Sequence, residues 1–278
     1  MTDRDGIERY YDVGAGDEYA RLTKSPLHEA EYELTVDLLR EYIEPGSRVL
    51  DAGAGPGRYA DLLIDELQCE VGLVDLSQAC LDEFLRRRGG RLEDRVLFAT
   101  RCCATDLATI DDRAFDAVLL LGPLYHLVEE RERRAAAGEA WRALRPGGHV
   151  FAAFVSPWPA FARLLADGGG LLEDWEFVGD LIERGITRST FEGVTVEFFR
   201  CWPAEAVALM ERAGFETVRL RNLEGIGTHL RREQSEALAD PRRKQAWLDI
   251  LRATCEIPDV LGATIHFLYV GHKPALIA

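Results

Sequence analysis

The chain has 278 residues, 47% hydrophobic and 29% charged, a globular composition with enough apolar material for a sizeable core. Its formal net charge of −15 repels phosphate backbones and argues against nucleic acid as a partner. No apolar run is long enough to span a bilayer, the start Met1-Thr2-Asp3-Arg4-Asp5 is too polar for a signal peptide, and the six cysteines show no metal-binding spacing, so a cytoplasmic, reducing setting without a bound metal is expected.

Residues 7–43 read as helical, with Val36, Leu38 and Leu39 in helical periodicity, and Pro45-Gly46 ends the segment. A first strand follows at Arg48–Leu50, a helix at 58–67, and a second strand at Glu70–Val74 ending on Asp75. Ser77 is placed to cap a helix over 78–88. A third strand spans Val96–Thr100. The unbroken apolar run ending at Leu121 reads as a fourth strand buried on both faces. Helix 129–144, a Pro146-Gly147 turn and strand His149–Val155 complete the alternation. Beyond it, 156–200 carries seven aromatic residues (Trp158, Phe161, Trp175, Phe177, Phe191, Phe198, Phe199) between short helices. A helix at 203–213, a strand at 217–221, a helical insertion at 229–256 and a strand at 263–270 follow. Alternating strands and helices predict an α/β domain with a largely parallel sheet covered on both faces.

The most informative stretch is Val49-Leu50-Asp51-Ala52-Gly53-Ala54-Gly55-Pro56-Gly57-Arg58, a strand, a glycine-rich turn and a helix start. A dinucleotide loop would want a small residue where Arg58 stands. The pattern D-x-G-x-G-x-G resembles instead motif I of the class I S-adenosylmethionine (SAM) methyltransferases. The resemblance spans 45–155 closely and 203–272 in outline. It implies a Rossmann-like seven-stranded sheet of order 3-2-1-4-5-7-6, with the last strand antiparallel. One elaborated domain is expected: an N-terminal cap at 1–44, a cofactor core at 45–155, a lid at 156–202 and the rest of the sheet at 203–278.

The same resemblance distributes roles. Asp51, Gly53, Gly55 and Gly57 would form the SAM loop. Asp75, 22 positions beyond Gly53, would bind the ribose hydroxyls as a bidentate acceptor, with Leu76 against the adenine. Cys103-Ala104 stands where many members carry Asp-Ala; sulfur is a weak acceptor, so that adenine contact is weaker or passes to Asp106. The Leu121 carbonyl would face the methionine moiety. Gly122-Pro123-Leu124-Tyr125-His126-Leu127 lacks the Asn/Asp-Pro-Pro-Tyr of nucleobase enzymes and is similar to small-molecule methyltransferases. Tyr125 and His126 would flank the transfer axis or pack the wall, and His126 has the pKa range of a general base. From the cap, Tyr11 would cover the reacting methyl and Arg21 would meet the cofactor carboxylate. The expected activity is SAM-dependent methyl transfer to an O, N or S atom of a small acceptor, apolar or aromatic in character, with S-adenosylhomocysteine as product. A SAM-binding regulator without turnover, a protein or RNA methyltransferase and an NAD-dependent oxidoreductase are the alternatives.

Overall fold

A computed structural model describes residues 2–89, 95–166, 169–225 and 236–275. Seven strands form one sheet: β1 (Arg48–Ala52), β2 (Glu70–Asp75), β3 (Val96–Arg101), β4 (Phe115–Leu120), β5 (Leu144–Val155), β8 (Glu216–Asn222) and β9 (His266–His272). Their order is β3-β2-β1-β4-β5-β9-β8. β1 to β5 pair in parallel, whereas β9 runs antiparallel between β5 and β8. This is the expected order; β6 (Ile186–Phe191) and β7 (Val194–Phe199) form a separate two-stranded hairpin.

Alternating side chains of the central strands feed two cores, one on each face. Val49, Val71, Leu119 and Phe151 pack on one face with Leu34, Leu38 and Leu39 of α2 (Pro26–Tyr42), Leu63 of α3 (Arg58–Asp65) and Phe84 of α4 (Gln78–Arg87). Leu50, Val118, Leu120 and Phe154 pack on the other, with Ala136, Ala137 and Ala140 of α5 (Glu130–Ala143) and Met210 of α8 (Pro203–Arg212). Burying each large apolar side chain contributes roughly 1.5–3 kcal/mol. The small alanine stripe lets α5 lie close to the sheet.

The helical stretch expected over 7–43 is two helices, α1 (Arg4–Arg21) and α2, because Ser25 caps a fresh start: its side chain accepts from the His28 N–H, with Pro26 at the first helical position. Ser77 caps α4 as expected, accepting from the Cys80 N–H. The 156–200 segment has the short helices expected of it and adds a hairpin that the sequence reading lacked. It holds α6 (Trp158–Ala166) and α7 (Trp175–Gly179), with a 3-10 turn at Gly170–Glu173 and a π-helical turn at Asp180–Arg184, and then the β6–β7 hairpin. Of the insertion expected at 229–256, helix α9 (Pro241–Thr254) is present, and 229–235 lie outside the described residues. Among the described residues, no helix is long and apolar enough to cross a membrane.

Candidate active site

β1 lies between β2 and β4, so the order of strands reverses there and a crevice opens beyond their carboxyl ends. Four strand ends meet in it. Asp51, Gly53 and Gly55 come from β1 and its loop, Asp75 and Leu76 from β2, Cys103 and Ala104 from β3, and Leu121, Tyr125 and His126 from β4. The helix α1 adds Tyr11 and Arg21. Gly57 is the exception: it stands behind the loop, where a side chain would overlap Phe84, so it serves the packing of α3 on α4.

The loop leaves room for a ligand. Gly53 has φ +89° and is pressed against the Pro123 ring, a place no Cβ fits. Gly55 is also left-handed, at φ +53°, and apart from its chain neighbours no atom of the described residues lies within 4 Å of where its Cβ would stand. Its N–H points at Asp75, whose Oδ2 accepts from it at 2.7 Å while Oδ1 accepts from the Ser77 N–H at 2.8 Å. Each carboxylate oxygen keeps a second lone pair, so Asp75 is fixed in place with acceptor capacity left for two hydroxyls. Burial nonetheless raises its pKa.

Asp51 is 2% exposed, and no hydrogen bond answers its carboxylate among the described residues. Burial, with the negative Asp75 nearby, pushes its pKa up to about 7. A buried, unanswered carboxylate suits a cationic ligand group such as an ammonium. Beyond β3, Cys103 Sγ contacts Thr105 Oγ1 at 3.1 Å. Asp106 does not replace the missing aspartate: it is exposed, lies outside the cleft lining, and accepts from the Ala108 N–H in a local turn.

Two expectations change at the cap. Arg21 does border the cleft, yet its guanidinium is already engaged. Nη1 and Nη2 donate to Glu31 at 2.9 and 3.1 Å, and Nε donates to Glu18 at 2.7 Å. Of the arginines lining the cleft, Arg58 has no such partner among the described residues, and its buried Nε has no hydrogen bond there. His126 stands where expected, 5% exposed, with its Nε2 at 2.6 Å from the Tyr11 hydroxyl and its Nδ1 buried and unpaired. Burial pushes its pKa down to about 3, which removes the basicity near neutral pH that the sequence suggested. The imidazole is neutral, and Tyr11, its own pKa raised chiefly by burial, keeps its proton.

Above this wall, Phe198 of the hairpin stacks on Tyr125 at 6.2 Å between ring centroids and lies 4.7 Å from the His126 ring. The Tyr125 hydroxyl donates to the Leu121 carbonyl at 3.3 Å. The hairpin also touches the cap, through Tyr10 and Phe191 at 5.7 Å. Trp158, the first aromatic residue of the 156–200 segment, is 44% exposed and outside the cleft lining.

A second polar group beside the cleft escaped sequence reading. His266 Nδ1 is 2.6 Å from Glu224 Oε1 and 3.7 Å from Glu31, and its ring lies 6.0 Å from that of Tyr125. Glu224 Oε2 accepts from the Ile265 and His266 N–H groups and from the Thr264 hydroxyl. Ligand-type atoms of Glu31, Glu224 and His266 come within 4.8 Å of one another, but Glu31 is already paired with Arg21 and Glu224 is hydrogen-bonded to His266. The two glutamates raise the His266 pKa against its burial, and Arg21 and His266 bring Glu31 down to about 2.

Residues 49–148 match the family described as a methyltransferase domain. No curated protein matches the chain. Among solved structures, the chain is similar to one from the Haloferax volcanii complex of the Trm112 methyltransferase activator with a methyltransferase (18% identity, 95% of this chain and 97% of that one covered, TM-score 0.59). It is also similar to a SAM-dependent methyltransferase from Methanosarcina mazei (15%, 86% and 97%, TM-score 0.57). A third is the 1,6-didemethyltoxoflavin-N1-methyltransferase of Burkholderia thailandensis with bound 1,6-didemethyltoxoflavin and S-adenosylhomocysteine (16%, 97% and 88%, TM-score 0.57). At these identities the likeness carries the fold, which is the Rossmann-like methyltransferase fold. The matched segment gives the chain a methyltransferase domain over 49–148.

Proposed function

We propose that this methyltransferase domain serves a small-molecule acceptor, held between the end of β4 and the cover made by α1 and the β6–β7 hairpin. The observation that carries the reading is the roof: Tyr11, His126, Tyr125 and Phe198 enclose the wall next to Leu121, where a protein or RNA chain would need an open path. The Burkholderia neighbour, bound to a small heteroaromatic, fits the same reading.

The donor's methyl is carried on a sulfonium, an activated electrophile when bound. The chain's work is then to align and to exclude water. Gly53 and Gly55 admit the donor's backbone-side contacts, Asp75 takes the ribose, and Asp51 answers the ammonium. Tyr11 and Tyr125 hold the aromatic wall, with His126 as a neutral positioning residue on Tyr11. A base at neutral pH is not supplied by His126, which favours an acceptor that is already a nucleophile or that loses its proton elsewhere.

Calorimetry with S-adenosylhomocysteine tests the cofactor, and transfer of labelled methyl from SAM into a metabolite extract tests the acceptor class. Label in small molecules is expected. Label in protein or RNA instead would overturn the acceptor reading, and binding without any transfer would point to a regulator. Hydrogen exchange should show residues 2–25 and 186–199 better protected with S-adenosylhomocysteine than without; equal protection would mean a fixed cover.

A further inference from the structure

We infer that Arg58 is the receptor for the α-carboxylate of the methyl donor, a role that rests on reading the cleft as a SAM site. Three arginines line the cleft. Arg4 donates to Thr105 and Glu132, and Arg21 is bound by Glu18 and Glu31. Arg58 has neither kind of partner among the described residues, and its Nε is buried and unpaired. Arg58 is half-buried, and a buried guanidinium nitrogen at a cleft wall with no carboxylate on it is a place for an anion.

Two aromatic rings flank Arg58 without satisfying it. The Arg58 guanidinium lies 4.8 Å from the Tyr32 ring centroid and 5.1 Å from that of Tyr19. Aromatic faces attract a cation but leave its in-plane N–H fork unfilled. A carboxylate fills that fork with two parallel hydrogen bonds. Asp51 is the counterpart: an unanswered carboxylate at the end of β1, as Arg58 is an unanswered cation at the start of α3. The glycine loop 53–57 lies between them in the chain, so the two charges of an amino-acid zwitterion each find an opposite one. Tyr19 ties this to the cap, since its other cationic neighbour is Arg87, 3.4 Å from its ring centroid. Arg87 itself donates to the Pro56 carbonyl of the loop.

The test compares SAM with decarboxylated SAM, which keeps the sulfonium, adenosine and amine. Calorimetric Kd values are measured for wild type and Arg58→Gln. Wild type should prefer SAM, and Arg58→Gln should weaken SAM by about 10- to 100-fold, the scale of lost charge-assisted hydrogen bonds. Its affinity for decarboxylated SAM should barely change, which erases the preference. A variant that keeps the wild-type preference overturns the assignment. Wild type binding neither compound overturns the cofactor reading, and this role with it. Should Arg58→Gln fail to fold, phenylglyoxal labelling of the wild-type Arg58 peptide decides: SAM should protect it and decarboxylated SAM should not, and equal protection overturns the role.

Discussion

Glu31 and Asp51 are both buried carboxylates at the carboxyl end of the sheet, and the fold treats them oppositely. Glu31 sits in a bidentate pair with Arg21, with His266 close by, and its pKa falls to about 2. Asp51 has burial and Asp75 acting on it and no cation, and its pKa rises to about 7. A paired buried charge braces the architecture, whereas an unpaired one at a cleft is a receptor waiting for its ligand. By that criterion Arg21 and Glu31 belong to the frame, and the proposal gives Asp51 and Arg58, with Asp75, to the binding surface.

The sharpest break of this contrast is Arg21→Met. Leaving Glu31 and Glu18 without their cation should cost about 3–5 kcal/mol of stability in urea unfolding at neutral pH. Affinity for S-adenosylhomocysteine in the folded fraction should hardly move; a large loss of affinity with intact stability would return Arg21 to the binding surface. Asp75→Ala should do the reverse, weakening binding by about 1.5–3 kcal/mol. Unchanged calorimetric affinity would remove the ribose assignment.

Asp51→Asn separates stability from binding in one variant. A carboxyl whose pKa is raised on folding loses stability as pH climbs from the unfolded value through the folded one, here from about 4 to about 7. The ligand-free variant should therefore be more stable than wild type at pH 8, by about 1–3 kcal/mol, and equal to it near pH 4. It should also bind SAM less tightly. No gain at pH 8 would mean that Asp51 is already compensated. His266 acts in the same direction in wild type: its raised pKa gives stability that is full below about 6.5 and lost as pH rises through the folded value. The smallest effect belongs to Tyr11→Phe, about 0.5–1.5 kcal/mol for the hydrogen bond to His126. A thermal melt that loses much more would show that this contact, and not the packing of α1, fastens the cover.

Much of this was legible in sequence because parallel, doubly buried strands leave unbroken apolar runs and the motif I loop leaves a fixed glycine pattern. Asp51, Asp75, Leu121 and Tyr125 were placed by those local signals. Arg58 was also visible, but as the residue that spoils a dinucleotide loop; its lack of a partner is a property of space. The Arg21–Glu31–His266–Glu224 group draws on four distant segments, and nothing local announces it. The His126 shift likewise comes from burial beneath the hairpin and cap. The hairpin itself did leave a signal. Glu192 and Gly193 both have positive φ, at 47° and 77°, between the β-branched runs Ile186–Phe191 and Val194–Phe199, the pattern of a tight two-residue turn. The aromatic residues around it drew the reading toward short covering helices.

The position of β9 has a consequence for how the chain reaches this state. β9 lies between β5 and β8, pairing Val155 with His266 and Asn222 with Phe267, yet it is synthesised after both. Until it emerges, β5 presents an open ladder edge and β8 has no place in the sheet. Its insertion also delivers His266 to Glu224 and Glu31 in the same event. The earlier strands β1 to β4 can assemble with the glycine loop 53–57 while the chain is still on the ribosome. The antiparallel half of the sheet is thus a late product of translation, and it arrives all at once.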